Sequence, residues 1–230
     1  MTIPRVIHQT AQSAQIPAAW RRYQQLACDL HPGWSYRFWT DVDNDEFVAS
    51  VFPDLLQMFR CLPFGIMRAD VIRYLILFEI GGLYVDLDYE FFRAFDLLEA
   101  DCVLPLETEA DRPRRLGNAL LASSPGHHFF GTVLDDLRSQ SPRARSREDV
   151  LKATGPLFIT RIYEGIPLAT RSDILLPERR LFSPTTPRGD REYRALVARG
   201  DAYGVHHCHG TWRDFSRLQR TKRRIARLLR

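Results

Sequence analysis

Residues 63–80, PFGIMRADVIRYLILFEI, constrain the fold more than any other stretch. At helical spacing Val71, Ile72, Leu75, Ile76, Phe78 and Ile80 point to nearly every side of the axis. A helix of that kind is buried, so other elements must cover it from several directions. Gly81-Gly82 is its stop signal, and Leu83–Asp86 reads at once as a strand. A buried helix feeding directly into a strand belongs to an α/β sheet.

The rest of the chain continues in that style. Ile3–His8 reads as a short buried strand and Pro17–Leu30 as a helix, with Trp20, Tyr23 and Leu26/Ala27 at helical spacing. After the turn HPGW comes a strand near Tyr36–Trp39, then a helical stretch, Asp45–Phe59, interrupted at Pro53. Cys102–Leu106 and Asn118–Ala122 are expected as strands, His128–Leu137 and Glu148–Tyr163 as helices. Ile174–Leu176, Leu181–Phe182 and Tyr203–His207 are expected as short strands, and 138–149 (RSQSPRARSRED) as a loop. Strands alternating with helices predict a largely parallel sheet flanked by helices, in one domain over 1–216.

At 230 residues, 45% hydrophobic and 26% charged, the chain is long enough for a sizeable core and has a globular composition. No window approaches the roughly 20 apolar residues that span a bilayer. MTIPRVIHQT lacks a basic region followed by a long apolar one, so no leader is expected. The four cysteines (Cys28, Cys61, Cys102, Cys208) are scattered without a CxxC pair, which favours reduced thiols and a cytoplasmic setting. The tail 217–230 (RLQRTKRRIARLLR) holds seven Lys and Arg and no acid, against a net charge of +4 for the whole chain. The remainder is therefore mildly acidic, and no nucleic-acid partner is expected. The tail can form a basic helix with Leu218, Ile225, Leu228 and Leu229 as an apolar stripe. Such a helix either rests on an anionic membrane or packs on its own domain.

The chemistry gathers around GGLYVDLDYE, residues 81–90. If the strand continues through both acids, Asp86 and Asp88 share one face and Leu87 points the other way. Two carboxylates at a strand's end make a half-site for Mg²⁺ or Mn²⁺; the other reading is a solvated turn. Asp70 and Arg73 share a face of the buried helix, where each needs a partner. They pair with each other or line the pocket of Asp86, with Arg73 toward an anion and Asp70 toward a sugar hydroxyl. HHCHG, 206–210, has the composition of a metal tract, but four such close neighbours cannot all reach one tetrahedral ion without a sharp turn. His127-His128, beside Pro125-Gly126, reads as structural or solvent-facing.

The run D-x-x-R-Y-x-x-L-x-x-x-G-G-x-Y-x-D-x-D, Asp70 to Asp88, resembles the core signature of glycosyltransferase family 32. IPRVIHQT (3–10), HPGWSYRFWTD (31–41), GNALLASSPGHHFF (117–130), TGPLFIT (154–160) and YGVHHCHGTW (203–212) resemble its other blocks. The resemblance implies a GT-A fold and transfer of a sugar from a nucleotide-sugar, a UDP- or GDP-sugar, to a hydroxyl of a glycan or lipid-linked acceptor with retention. Family members build surface glycans such as capsule and lipopolysaccharide. It implies Mn²⁺ or Mg²⁺ at Asp86, Asp88 and His206, with Asp70, Arg73 and Asn118 around the donor sugar. His8, Gln9, Thr10, Tyr84 and Leu87 then lie near the nucleotide, and His206 and Trp212 close over the diphosphate. Ala11 stands where the family commonly has a Trp near the base, and Cys208 where it often has an aromatic. A metal-dependent hydrolase or phosphotransferase using Asp86, Asp88 and the 206–209 histidines, or an inactive nucleotide-binding module, are the alternatives.

Overall fold

The fold was analysed in a computed structural model, which describes residues 2–140, 142–182 and 199–209. Trp212 and the tail 217–230 lie outside the described residues.

The buried helix runs from Gly65 to Glu79 (α4), with Met67 and every residue from Asp70 to Leu77 buried. Its stop is set by backbone geometry. Gly81 has φ +69° and returns its N–H to the Leu77 carbonyl at 3.1 Å. Gly82 has φ +97°, and a Cβ there would lie 2.5 Å from Val6 Cγ1. Strand β3, Gly82–Val85, follows immediately and is buried throughout.

Before α4 come β1 (Val6–Thr10), α1 (Ala18–Leu30), β2 (Ser35–Trp39), α2 (Asp41–Val51) and α3 (Pro53–Cys61). The first strand thus begins and ends later than Ile3–His8. Thr40 caps α2 through a reciprocal pair with Asp43, and Pro53 opens α3 as its first residue. After β3 come β4 (Tyr89–Phe91), β5 (Cys102–Val103), β6 (Leu120–Ser123) and α5 (His128–Ser139). They are followed by α6 (Arg147–Ala153), α7 (Pro156–Gly165), β7 (Ile174–Leu175), α8 (Arg179–Phe182) and β8 (Gly204–His206).

Two expectations fail here. Glu148–Tyr163 is two helices, because Gly155-Pro156 breaks the chain and Pro156 starts α7. Leu181–Phe182 lies in the short helix α8 instead of a strand.

The central sheet has the order β2-β1-β3-β6-β5-β7. β1 is parallel to β2 and β3, β5 is parallel to β7, and β6 runs against both its neighbours. One reversed strand therefore sits in a mostly parallel sheet. Alternation along the strands builds two cores. Tyr84 and Leu121 face α4, α5 and α7, with Phe129, Phe130 and Phe158. Leu83, Val85, Leu120 and Ala122 face the other side, with Ile7, Phe91 and Phe182. A separate antiparallel ribbon, β4 with β8, pairs Tyr89 with His206. Among the described residues no helix is long and apolar enough to cross a membrane.

Candidate active site

Strand β3 stops at Val85. The Asp86 N–H donates to the Ala119 carbonyl at 2.7 Å, and Tyr89 N–H closes a turn onto the Asp86 carbonyl at 3.1 Å. Asp86 and Asp88 are therefore carried by a turn, not by one extended strand as alternation suggested. Leu87, buried between them, anchors that turn. The ribbon then brings β8 alongside. Asp86, Asp88 and His206 each offer one ligand atom, and these atoms lie within 4.8 Å of one another. This is the carboxyl end of β1 and β3, where open α/β sheets bind ligands.

Asp88 is held from the β8 side. Its Oδ1 is 3.1 Å from His206 Nε2, and its Oδ2 accepts the His209 backbone N–H at 2.8 Å. Burial works to raise the Asp88 carboxyl, but the bonds from His206 and His209 outweigh it and hold it below the usual range. Burial alone would lower His206; the partners Asp88, Cys208 and Asp86 instead raise it well above its ordinary value. Asp86 Oδ2 lies 3.9 Å from the same Nε2, and burial pushes the Asp86 carboxyl up.

Behind Asp86 sits Arg73, its side chain 2% exposed. Its Nη2 lies 3.4 Å from Asp86 Oδ1 and 3.2 Å from Asp70 Oδ1. Its Nε donates to the Ala69 carbonyl at 3.0 Å and its Nη1 to the Asn118 carbonyl. Arg73 therefore pairs with Asp70 and reaches the pocket of Asp86 as well. The Tyr84 ring lies 4.7 Å under the guanidinium, and its hydroxyl donates to Asp86 Oδ1 at 3.2 Å. Asp70 accepts from Asn118 Nδ2 at 2.9 Å and from Thr154 Oγ1 at 3.0 Å. Burial pushes its carboxyl up to about 7, against the pull of Arg73.

The β1 residues lie beneath this layer. His8 is fully buried; its Nε2 is 3.0 Å from the Gly81 carbonyl and its Nδ1 accepts from Trp39 Nε1 at 3.1 Å. Both ring nitrogens are thus satisfied inside the protein. Gln9, also fully buried, donates to the Asp86 carbonyl at 3.4 Å and accepts from the Tyr36 hydroxyl at 2.9 Å. Thr10, at the strand's end, accepts from Asn44 at 2.9 Å.

Sequence reasoning gave no role to several residues here. Thr154 is one of three partners of Asp70, with Arg73 and Asn118, and reaches it from the break between α6 and α7; the Gly155-Pro156 pair is its local signal. Beyond Asp88, His207 pairs with Glu90 at 2.9 Å and stacks on Tyr23 at 4.9 Å, while His209 Nδ1 accepts from Trp20 Nε1 at 3.0 Å. HHCHG thus splits: of its three histidine side chains, His206 alone joins the carboxylate pair.

His127, His128 and Asp173 make a second gathering of metal-ligand types, at the far end of β6. There His127 Nδ1 accepts the Phe129 N–H at 3.2 Å as the cap of α5, so the neutral ring keeps its proton on Nε2, facing Asp173 at 3.4 Å. That leaves Nε2 no lone pair for a cation, and the cluster joins α5 to the start of β7.

Comparison with known proteins agrees with the geometry. Residues 17–104 match the glycosyltransferase sugar-binding region containing the DXD motif. Inositol phosphoceramide mannosyltransferase 2 of Schizosaccharomyces pombe is 34% identical over 163 residues, 70% of this chain and 46% of the relative. A mannosyl phosphorylinositol ceramide synthase of Saccharomyces cerevisiae is 36% identical over 163 residues, 70% of this chain and 43% of the relative. The chain thus spans less than half the length of these two relatives. Among solved structures, the PaToxG glycosyltransferase superposes with a TM-score of 0.54 at 18% identity, over 72% of this chain and 71% of that one, a likeness of fold. The sheet with its single reversed strand is that of the GT-A fold, and by motif and by its relatives the chain is similar to the DXD-containing glycosyltransferases.

Proposed function

We propose that the chain transfers a sugar from a nucleotide-sugar to an acceptor hydroxyl, with a divalent cation at Asp86, Asp88 and His206 and with retention of configuration. The gathering of two carboxylates and one imidazole at the carboxyl end of the sheet carries this reading. Two hard oxygen donors and one nitrogen suit Mn²⁺ better than Mg²⁺, which prefers an all-oxygen shell. A cation held there neutralises the negative charge that grows on the diphosphate as it leaves.

The protein's own residues divide the remaining work. Asn118, half-buried where Asp70 is buried, is the side chain placed to meet a donor sugar hydroxyl, and Asp70 orients it. Arg73 spends its donors on Asp70, Asp86 and two carbonyls, so it acts as a fixed counter-charge that positions Asp86. Tyr84, Gln9 and Leu87 hold the turn; His8 supports β1 from inside; Thr10 and Ala11 at its end face the nucleotide. Mannose is the first donor sugar to test, since the two relatives are named for mannosyl transfer to inositol phosphoceramides. A lipid-linked acceptor follows from the same names and fits a membrane role for the basic tail.

The test is a hydrolysis and thermal-shift screen against UDP- and GDP-sugars with Mn²⁺, with Asp88→Ala as control. Mn²⁺-dependent turnover lost in the variant is the expected result. A folded protein whose turnover ignores Mn²⁺ and the substitution would overturn the reading.

A further inference from the structure

Cys208 is the only non-glycine residue with positive φ among the described residues, at 49°. Side chains visit that region sparingly, and such residues cluster at functional sites. Here the bend has a visible consequence: it turns the chain back after β8, so that the His209 N–H reaches Asp88 Oδ2 at 2.8 Å. The side chain turns back as well. Cys208 Sγ lies 3.3 Å from His206 Nδ1, the ring nitrogen that faces away from the carboxylates.

A neutral imidazole has one donor nitrogen and one acceptor nitrogen. To offer a cation its Nε2 lone pair, His206 must carry its proton on Nδ1, and that N–H needs an acceptor. Histidine ligands almost always donate the second ring N–H to a carboxylate, a carbonyl or water. Among the described residues, the hydrogen-bond partner at Nδ1 is the sulfur of Cys208. We infer that Cys208 is a positioning residue for the metal-assisted reaction: its sulfur accepts the Nδ1–H of His206 and fixes the tautomer and ring orientation that aim Nε2 at the cation. This rests on the reading of Asp86, Asp88 and His206 as the cation site.

The two contributions of Cys208 can be separated. Cys208→Gly tolerates the positive φ, so it keeps the bend and the His209 contact, and removes only the sulfur. Cys208→Asn also tolerates that conformation and restores an acceptor. Mn²⁺ affinity of each full-length protein is measured by titration calorimetry, with folding checked by thermal unfolding. The Nδ1–H of His206 is followed by nitrogen NMR in proteins loaded with Zn²⁺, a diamagnetic ion that takes carboxylate and imidazole ligands. The expected result is a 10- to 100-fold weaker Mn²⁺ affinity in Cys208→Gly, the range for lost outer-shell partners, and recovery in Cys208→Asn. The wild type then shows the proton on Nδ1. A Cys208→Gly protein that binds Mn²⁺ as tightly as wild type, or a loaded wild type with Nδ1 unprotonated, overturns the inference and leaves the transferase reading intact. A wild type whose Mn²⁺ binding is absent or indifferent to Asp88→Ala overturns both.

Discussion

His8 offers the sharpest test of how the site is supported. Its ring is fully enclosed, with Nε2–H donating to the Gly81 carbonyl and Nδ1 accepting from Trp39. Protonation would put a second proton on Nδ1, directly against the Trp39 N–H. Burial therefore lowers its pKa to about 4, only partly opposed by the Gly81 bond. In the unfolded chain the ring titrates near ~6.5. Between those values the unfolded state binds more protons, so stability rises with pH and is lost as pH falls. Linkage puts the loss from this one ring at about 2 kcal/mol between pH 7 and pH 5. Other histidines contribute to the same window, with His206 acting in the opposite direction. A difference measurement removes them. Urea unfolding of wild type and His8→Gln at both pH values should show the wild-type advantage shrinking by about 2 kcal/mol at pH 5. An advantage equal at both pH values would mean that His8 is not a buried neutral group, and the account of β1 as an inner support would fall.

Two further substitutions test the core of the site. Arg73→Met leaves Asp70 and Asp86 without their counter-charge, and should cost about 3–5 kcal/mol at pH 8, measured by urea unfolding. The loss should shrink at pH 5, where Asp70, its carboxyl raised to about 7 by burial, is protonated. Gly82→Ala meets Val6 Cγ1 at 2.5 Å and the Val6 carbonyl at 2.7 Å with φ +97°. It should lose about 2 kcal/mol or more, seen as a lowered midpoint in thermal unfolding.

The α4–β3 unit is legible in the sequence because its two signals are local and agree. Apolar residues all round a helix demand burial, and Gly81-Gly82 supplies the positive φ values that end it. The turn at Asp86–Tyr89 is not legible in the same way: D-x-D fits a strand end and a turn equally, and the ribbon pairing with β8 decides. Strands at Cys102–Leu106 and Ile174–Leu176 are legible as short apolar runs, though sheet pairing trims them to β5 and β7. Leu181–Phe182 fails, since two apolar neighbours fit a helical turn as well as a strand. Asp70's need for a partner was readable; that Thr154 answers it was not, because 84 residues separate them. The depth of His8 is likewise invisible without the sheet, as a histidine in a strand can face a ligand or the core.

The arrangement also explains how carboxylates can gather where burial is costly. Asp70 and Asp86 flank one permanent cation, Arg73, which the protein holds with four groups, and Asp88 follows two residues after Asp86. With all three acids ionised, Arg73 neutralises one and two negative charges remain. A protonated His206 offsets one of these, and its contact with Asp88 at 3.1 Å is where that charge goes. A divalent cation with neutral His206 would offset both. The site is thus one charge short when protonated and balanced when it holds a dication, which makes the cation the better partner wherever pH allows His206 to give up its proton. Arg73 is what makes that balance come out at two, not three. For that reason a lysine at 73 should not suffice: one ammonium carries the charge but lacks the planar fork that spans Asp70 and Asp86 while binding two carbonyls.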